Sequence, residues 1–331
     1  MTEPIRSPIV LKPESARRAS RSPSPTRLDG IHRVAVLAGG RSGERAISLE
    51  SGRAVSEALA GAGFEVFRFD PAEADFVDRL LAAHVDCAFN ILHGTGGEDG
   101  TIQGLLESMR LPYTGSGVLG SALSMDKYRS KLLWQAAGLP TPPGILCPAE
   151  GPAEPPFPPP WCVKPADQGS SLGVSRVDEP SGLDAACAQA RRYSPHTLVE
   201  PWITGGEYTV ALVGSLTLPS IRIETSRDFY DYTAKYSDPQ TRYHCPSGFD
   251  PGREAALGDL ARRAASCLDV SGWCRVDFRV TPDLRPFLIE VNTLPGMTGH
   301  SLVPMAARAH GWDFPRLCLE ILAHRRGGES A

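Results

Sequence analysis

The chain has 331 residues, of which 41% are hydrophobic and 22% are charged, and its formal net charge is −4 at pH 7. These values are ordinary for a soluble globular enzyme of two or three domains. The slight negative charge argues against a general binder of nucleic acids or anionic membranes. No apolar run approaches the roughly 20 residues that a membrane-spanning helix needs, so membrane insertion is not expected. The eight cysteines form no C-x-x-C pair, which favours reduced thiols and a cytoplasmic location.

The first thirty residues differ in composition from the rest of the chain. They contain five prolines, five serines and six Lys or Arg residues, with no continuous apolar run. Arg-rich and Ser-rich composition is also found in organelle transit peptides, but here prolines and acidic residues interrupt any amphipathic helix. We therefore expect residues 1–30 to be a disordered tail outside the fold.

From Ile31 onward, strand-like and helix-like segments alternate, which predicts a parallel α/β sheet. A first helix is expected to end at Gly63, and another is expected to be capped by Thr101. The glycines after the first strand do not match G-x-G-x-x-G, which argues against a dinucleotide site. Glu44 and His93 follow strand ends and fall on the rim where such sheets bind small molecules. The strands are expected at 32–37, 65–70 and 85–92.

The second half of the chain has a different pattern. Asp126 is predicted to start a helix over 127–137, and the Pro-rich segment 147–160 is predicted to be a connecting loop. Short strand-like runs follow and predict an α+β, largely antiparallel region. These strands are expected at 161–164, 197–199, 208–213 and 218–223.

The segment Cys274–Asn292 predicts a β-hairpin, since two strand-like runs flank a Pro-Asp turn. In the register that this turn favours, Asp277 lies opposite Glu290, and Arg275 lies opposite Asn292. Side chains two apart share a face, so all four groups point the same way. The other face is expected to join a core and consists of Val276, Phe278, Val280, Phe287, Ile289 and Val291.

Two carboxylates that oppose each other across an antiparallel pair repel each other. A divalent cation between Asp277 and Glu290 would relieve this repulsion, because Mg²⁺ takes oxygen ligands from one or two carboxylates and keeps positions for phosphate. The alternative is a solvated hairpin face on which Arg275 and Arg279 offset the carboxylates. The hairpin alone does not decide between the two interpretations.

Two turns contain groups suited to a nucleotide. The turn Gln168–Val174 follows the strand ending at Lys164, and its backbone N–H groups can form an anion nest, although such Gly/Ser turns are also common in hairpins. The segment Glu200–Glu207 places two carboxylates around exposed backbone, which suits an adenine edge and ribose hydroxyls. An acidic surface turn is the alternative there.

Two further segments are compatible with an anionic substrate. The aromatic segment Phe229–Tyr236 contains Asp231 and Lys235, so it predicts either a packing cluster or a mobile lid. The segment after the hairpin enters a helix near Ser301. Its N-terminus suits a carboxylate, but Ser301 is equally suited to be only an N-cap.

Taken together, these motifs resemble the D-alanine–D-alanine ligases of the ATP-grasp superfamily. The resemblance runs from about Ile31 to Leu322, and it depends on the order and spacing of the motifs more than on any one of them. The motifs are Ala38-Gly39-Gly40 with Glu44, Leu92-His93-Gly94, Gly97-Glu98-Asp99-Gly100, Tyr113–Gly117, Ser124–Lys127, Val163–Pro165, Gly169–Ser171, Tyr230–Tyr236 and Glu290–Thr298.

The resemblance implies an α/β N-terminal domain followed by an α+β ATP-grasp fold, in which two subdomains clasp ATP. The implied boundaries are 31–120, 121–203 and 204–326. ATP would be held by Lys127, Lys164, Ser171, Glu200, Trp202, Ile203, Glu207 and Lys235. Two Mg²⁺ (or Mn²⁺) ions would be bound by Asp277, Glu290 and Asn292.

The resemblance also implies how the amino acids bind. Glu44 and His93 would hold the first D-alanine, and Ser301 with Leu302 would receive the carboxylate of the second. Glu44, Ser170 and Tyr236 would form a hydrogen-bonded set that closes a loop over the site. The oxyanion would be stabilised by Arg275 and the Gly296 backbone. Two departures from the family pattern, at residues 166–168 and at Gly299, affect loop dynamics and affinity in this interpretation.

The sequence and this resemblance therefore predict a cytoplasmic, homodimeric enzyme that joins two D-alanines through an acylphosphate for peptidoglycan synthesis. The same fold also serves ligases that use D-lactate or D-serine, and Tyr236 favours the alanine-using class. A regulatory ATP-binding protein without catalysis is the second alternative. The intact set of Lys164, Arg275, Asp277, Glu290 and Asn292 speaks against it.

Overall fold

The computed structural model describes residues 9–11, 28–148, 154–225 and 240–327. An N-terminal sheet has the strands β1 (Ile9–Leu11), β2 (Arg33–Leu37), β3 (Glu65–Phe69) and β4 (Cys87–Asn90). Its order is β1-β3-β2-β4, in which β2 pairs parallel with both β3 and β4. The predicted parallel α/β arrangement is confirmed. Strand β1 pairs antiparallel with β3, so the expectation that all of residues 1–30 lie outside the fold is wrong for Ile9–Leu11.

Helices cover both faces of this sheet, as the continuous apolar strands require. The helices are α1 (Arg45–Gly61), α2 (Phe76–Ala82) and α3 (Thr101–Ser108). Val34, Val36 and Phe89 face α1 in one core, whereas Leu37 and Phe69 face α2 and α3 in another. Helix α1 ends near Gly63, as predicted, and Gly63 has a φ of +99°.

Helix α3 begins one residue earlier than predicted. Gly100, with a φ of +93°, occupies the N-cap position, and Thr101 is the first helical residue. The Thr101 N–H donates to the Asp99 side chain at 3.0 Å, so Thr101 does not cap the helix itself. The prediction was wrong because glycine reaches the left-handed conformation that this turn needs without steric cost.

Two helices join the N-terminal sheet to the rest of the molecule, namely α4 (Val118–Met125) and α5 (Lys127–Ala136). Asp126 caps α5 by accepting from the Arg129 N–H at 2.9 Å, as the sequence predicts. Helix α4 was not predicted, because its buried face consists of small residues and not of a periodic apolar stripe. Gly120 lies on that face, where a Cβ would be 2.3 Å from the Asp269 carbonyl oxygen.

The second sheet has the order β5-β8-β6-β7 and is antiparallel throughout. Helix α6 covers its outer face, with Cys187 and Ala190 packed in the core between them. The elements are β5 (Ile145–Cys147), β6 (Trp161–Pro165), β7 (Ser175–Val177), α6 (Leu183–Arg191) and β8 (Thr197–Pro201).

The third sheet is also antiparallel, with the path β12-β11-β9-β13-β14, and β10 pairs with β9. Helix α7 packs on its outer face, where Val276, Phe278 and Leu288 meet Ala261 and Ala264. The predicted strand 218–223 begins only at Ile221, because the N–H and the hydroxyl of Ser220 donate hydrogen bonds to the Glu254 carboxylate. The elements are β9 (Gly206–Val213), β10 (Leu216–Thr217), β11 (Ile221–Glu224), β12 (Arg242–His244), α7 (Pro251–Cys267), β13 (Trp273–Val280) and β14 (Pro286–Asn292).

The chain ends with α8 (Leu302–His310) and α9 (Phe314–Ala323), which return to the N-terminal sheet. Leu317 and Ile321 of α9 join the same core as Val55 and Leu59 of α1. Arg326 then forms a bridge with Tyr113 at the edge of that sheet. The final segment thus fixes the third sheet against the first, whereas the predicted domain boundaries stay a prediction.

Candidate active site

A cleft lies between the second and third sheets, with about 970 Å³ of empty space when the part open to solvent is counted. Strands β6 and β8 form one wall, and strands β9, β13 and β14 form the other. Eleven of the predicted site residues line it: Lys127, Lys164, Ser171, Glu200, Trp202, Ile203, Glu207, Arg275, Asp277, Glu290 and Leu302. The predicted residues Lys235 and Tyr236 lie outside the described residues.

The hairpin β13–β14 has the predicted register at its functional positions. Asp277 pairs with Glu290, and Arg275 pairs with Asn292. The Arg275 guanidinium donates to both oxygens of Asp277, at 2.8 and 2.7 Å, and the Asn292 amide donates to the same carboxylate at 3.0 Å. Glu290 forms an ion pair with Lys127 at 3.0 Å. The four charged groups line the cleft and are at most 22% exposed, so this hairpin face is not freely solvated, but Arg275 does offset Asp277 as that alternative expected.

Arg279 does not offset the hairpin carboxylates, as that alternative had it. Its guanidinium forms an ion pair with Glu207 at 2.8 Å and donates to the Gly205 carbonyl at 3.0 Å. It also lies over the ring of Trp202, 5.6 Å from the ring centroid, while Arg176 lies 5.4 Å from the same centroid. Arg279 therefore orders the residues predicted to meet adenine and ribose.

The hairpin departs from the predicted pairing beyond Asp277. The register shifts by one residue, so that Phe278 pairs with Leu288 while Asp277 still pairs with Glu290. Ile289 is the extra residue of a β-bulge, which re-aims side chains next to a site. Leu288 is buried in the core, whereas Ile289 lines the cleft beside Glu290. The expectation that Phe287 and Ile289 belong to the core face is wrong.

Asp277, Glu290 and Asn292 fit a hard divalent cation by their chemistry. Two carboxylates and an amide supply the oxygen ligands that Mg²⁺ prefers, and they face a cleft lined by lysines that suit phosphates. In the part of the chain that the structure describes, no group of three His, Cys, Asp or Glu side chains is placed to hold a metal. The candidate set therefore depends on the Asn292 amide in addition to the two carboxylates.

Glu200 forms ion pairs with two lysines. Its carboxylate is 2.5 Å from the Lys164 ammonium and 2.7 Å from the Lys131 ammonium. All three side chains are at most 7% exposed. Burial raises the pKa of the Glu200 carboxyl, but Lys131 and Lys164 outweigh burial and hold that pKa below its ordinary value. The carboxylate thus stays ionised in the cleft wall.

Lys131 was missed by the motif-based prediction, although the composition contains a signal for it. The chain has five lysines against 29 arginines. Lysine presents a compact ammonium, whereas arginine presents a planar fork, so the two are not interchangeable. In a chain that uses arginine so widely, each lysine is a candidate for a role that needs a point charge. Lys127, Lys164 and Lys235 were predicted on motifs, and Lys131 is the fourth.

The Gly/Ser turn after β6 has an unusual backbone conformation, and the anion nest stays a prediction. Ser170 and Ser171 have φ values of +54° and +55°, which non-glycine residues rarely adopt. The Lys127 ammonium donates to the Gln168 carbonyl at 2.7 Å, and the Ser170 hydroxyl donates to the Glu44 carboxylate. The turn is therefore bonded on one side to α5 and on the other to Glu44, the N-cap residue of α1.

The predicted amino-acid subsite lies beside the cleft, beyond Glu44. His93 is buried, and its Nε2 atom has no hydrogen-bond partner within the described ranges. Burial lowers the pKa of the His93 imidazole more than the nearby Glu44 raises it. His93 is therefore a neutral group that can receive or donate a hydrogen bond at this position.

Glu98 is a second residue to which the sequence prediction gave no role. Its carboxyl accepts the Gly94 N–H at 2.7 Å and the Leu294 N–H at 3.3 Å, which ties the loop containing His93 to the loop after β14. Burial, followed by the Glu44 carboxylate, raises the pKa of Glu98 to about 8. The motif Gly97–Gly100 contained the residue, but its surroundings arise only in the tertiary structure.

The loop after β14 brings Gly296 and Ser301 together. A Cβ at Gly296 would lie 2.9 Å from the Ser301 hydroxyl oxygen. Ser301 occupies the N-cap position of α8 without a side-chain capping bond. Its hydroxyl instead accepts the Thr298 N–H at 2.9 Å, so the N-cap alternative does not account for this side chain.

Comparison with known proteins decides the family. The family model described as "D-ala D-ala ligase C-terminus" matches residues 152–323, and the model described as "D-ala D-ala ligase N-terminus" matches residues 70–116. A D-alanine–D-alanine ligase of Alkalilimnicola ehrlichii is 51% identical over 90% of this chain and 96% of that protein. One of Halorhodospira halophila is 50% identical over 91% and 97%, respectively. This chain belongs to the D-alanine–D-alanine ligase family.

A solved structure of the family has the same fold. The VanG D-Ala:D-Ser ligase from Enterococcus faecalis is 28% identical and has a TM-score of 0.76, over 88% of this chain and 98% of that one. The predicted resemblance, the ligase class and the α/β plus ATP-grasp fold are therefore confirmed. The family implies use of ATP, a divalent metal and small-molecule substrates. In the described residues, no helix is both long and apolar enough to span a bilayer.

Proposed function

We propose that this ligase joins two D-alanines to D-alanyl-D-alanine, releasing ADP and phosphate, as a step of peptidoglycan precursor synthesis. One observation carries the proposal. The opposed carboxylates Asp277 and Glu290 line one cleft together with Lys127 and Lys164, which suits a nucleotide with its metal ions. The relatives that are about 50% identical are named D-alanine–D-alanine ligases, which supports D-alanine as both substrates.

The cleft supports an assignment of its two walls to ATP. Trp202 and the Ile203 backbone would meet adenine together with Glu200, while Glu207 would bind the ribose. Lys127, Lys164 and the Ser171 turn would hold the phosphates. Asp277, Glu290 and Asn292 would hold two Mg²⁺ (or Mn²⁺) ions, which neutralise phosphate charge when bound. Lys235, in the predicted lid, would add a further contact to ATP.

The first step would be phosphoryl transfer. Glu44 would bind the ammonium of the first D-alanine, and His93 would lie near its carboxylate. A carboxylate oxygen then attacks the γ-phosphorus, the bond to the bridging oxygen breaks, and ADP leaves with that electron pair. Because this chemistry needs little covalent assistance, positioning and charge neutralisation supply most of the acceleration.

The second step would form the peptide bond. The amine of the second D-alanine, whose carboxylate would be received by Ser301 and Leu302, attacks the acylphosphate carbonyl. Arg275 and the Gly296 N–H would stabilise the oxyanion of the tetrahedral intermediate. Phosphate then leaves, and the nitrogen loses a proton. The set Glu44–Ser170–Tyr236 would close the site, which excludes the water that would hydrolyse the acylphosphate.

The proposal extends to the state of the enzyme in the cell. We propose a homodimer that works in the cytoplasm, where its nucleotide and amino-acid substrates occur. Sedimentation of the purified chain tests the dimer: a single species at the monomer mass would contradict it.

ADP formation with each amino acid tests the activity. The enzyme is incubated with ATP and Mg²⁺ and with D-alanine, D-serine, D-lactate or L-alanine, and product masses are recorded. We expect ADP formation that depends on D-alanine, with D-alanyl-D-alanine as product and little turnover with L-alanine. A mixed product from D-alanine and D-serine would shift the assignment to that class. ADP formation that does not depend on D-alanine would refute the proposal.

A further inference from the structure

One buried cluster in the wall of the nucleotide cleft, formed by Lys131, Lys164 and Glu200, has two cationic groups and one anionic group. Two ammonium groups, from Lys131 and Lys164, share the single carboxylate of Glu200 at 2.7 and 2.5 Å. Burying a charge is costly unless it is paired, so a cluster with two cations and one anion is not the cheapest arrangement for the protein alone. An anionic ligand would complete its neutralisation.

The two lysines differ in their access to such a ligand. Lys164 lines the cleft, whereas Lys131 is 1% exposed and is absent from the cleft lining. The Lys131 ammonium also donates to the Thr141 hydroxyl at 3.1 Å, and that hydroxyl donates to the Leu288 carbonyl at 2.9 Å. Lys131 is thus fixed behind the wall, between α5 and β14, while Lys164 faces the ligand.

We propose that Lys131 is a positioning residue that holds Glu200 from behind, so that Lys164 can leave Glu200 and bind the phosphates of ATP. This inference rests on the proposed function and adds to it a residue that does not touch the substrate. When Lys164 turns to a phosphate, Glu200 keeps Lys131 as its partner and stays ionised in place. The exchange therefore leaves neither buried group without a counter-ion.

Without Lys131, the cluster would reduce to one carboxylate and one ammonium. Such a buried pair is neutral, and separating it would leave Glu200 buried without a partner, which is strongly unfavourable. ATP would then have to compete with Glu200 for Lys164. The loss would fall on the phosphates and not on the base, because Glu200 would still be held against the adenine end of the cleft.

The ratio of two dissociation constants isolates this effect. Calorimetric titration gives the dissociation constant for ATP divided by that for adenosine. This ratio is measured for the wild type, Lys131→Met, Glu200→Gln and the double variant. Adenosine has the same base and ribose without phosphates, so losses common to both ligands cancel. Arg53→Met, which removes one positive charge from the exposed face of α1, is the control for net charge.

We expect Lys131→Met to weaken ATP about tenfold relative to adenosine, as loss of a buried counter-ion does, and Arg53→Met to leave the ratio unchanged. In the Glu200→Gln background, no carboxylate competes with ATP for Lys164. Lys131→Met is therefore expected to change the ratio less than about threefold. An unchanged ratio in Lys131→Met overturns the proposal. So does an equal loss in both backgrounds, because Lys131 would then act on the phosphates directly.

Folding failure of the single variant does not remove the test. The comparison of Glu200→Gln with the double variant stands alone, and a tenfold loss of the ATP preference there contradicts the proposal. Failure of the proposed function would be seen separately, as ADP formation that does not depend on D-alanine in a wild-type protein that still binds ATP.

Discussion

The nucleotide end and the amino-acid end of the site are built by different means. At the nucleotide end, Glu200 lies on a strand and is bonded by two ammonium groups within 2.7 Å. At the amino-acid end, Glu44 and Glu98 lie outside the strands and are bonded by a hydroxyl and by backbone N–H groups. One end is thus stabilised by full charges, and the other by dipoles.

This difference predicts how each end responds to change. The pKa of the Glu200 carboxyl is held below its ordinary value and the pKa of Lys164 is raised, so this ion pair is insensitive to pH near neutrality, whereas burial lowers the pKa of Lys131. Burial instead moves the pKa of the Glu98 carboxyl to about 8, close to neutrality. We therefore expect the amino-acid end to be the pH-sensitive half of the site.

The largest effect is expected where the two ends meet, at Glu290. Glu290→Gln removes the negative charge that faces Asp277 and the partner of Lys127, and we expect turnover to fall about a thousandfold or more. Thermal melting should remain cooperative. Glu65→Gln, at an exposed ion pair, is the control, and near-normal turnover of Glu290→Gln would contradict the metal role.

The next effect would separate the two ends. Glu44→Gln should raise the KM for D-alanine about a hundredfold, because a charge-assisted hydrogen bond is lost, while ATP affinity stays within about twofold. Steady-state kinetics and ATP titration measure the two quantities. Glu50→Gln, at an exposed position of α1, the helix that Glu44 precedes, is the matched control. If Glu44→Gln weakened both substrates equally, the division into two ends would be wrong.

A smaller effect concerns stability and pH. The pKa of Glu98 is about 8 in the folded protein and 4.5 as its ordinary value. Since the folded state then holds a proton that the unfolded state releases, stability falls as pH rises through this window, by at most about 1.4 kcal/mol per pH unit. Urea unfolding at pH 5 to 8 should show this slope in the wild type and a flatter one in Glu98→Gln. Equal pH dependence of stability in the wild type and in Glu98→Gln would contradict the raised pKa of Glu98.

The smallest effect compares two arginines that flank Trp202. Arg279→Met loses the ion pair with Glu207 as well as the contact with the ring, so the KM for ATP should rise about three- to fivefold. Arg176→Met loses the ring contact while Glu207 keeps its partner, and a change below about twofold is expected. Equal effects would mean that Glu207 does not need Arg279.

The sequence predicted what depends on local pattern. The turn residues and the alternation of β13 placed Asp277 opposite Glu290 correctly. The same reasoning failed for Ile289, because Phe287, Leu288 and Ile289 are all apolar, so alternation does not reveal which residue is extra. The family and the fold were also predictable, since several ordered motifs specify them jointly.

Contacts between distant segments were beyond the sequence reasoning. The bond between Lys131 and Glu200 joins a helix to a strand 69 residues later, and the burial that raises the pKa of Glu98 arises from loops nearly 200 residues apart. Family motifs assign a role to each residue separately, so they do not reveal which residues contact each other. The roles of Lys235 and Tyr236 remain predictions, because both lie outside the described residues.

The bulge at Ile289 has a consequence for insertions and deletions. Removing one residue from a strand ordinarily turns every following side chain to the opposite face. Deletion of Ile289 would instead join Leu288, paired with Phe278, directly to Glu290, paired with Asp277, in uninterrupted register. The sheet would keep its core and its carboxylates, and only the cleft wall would lose a side chain. At this position the chain can therefore lose a whole residue, which reshapes a pocket without refolding a strand.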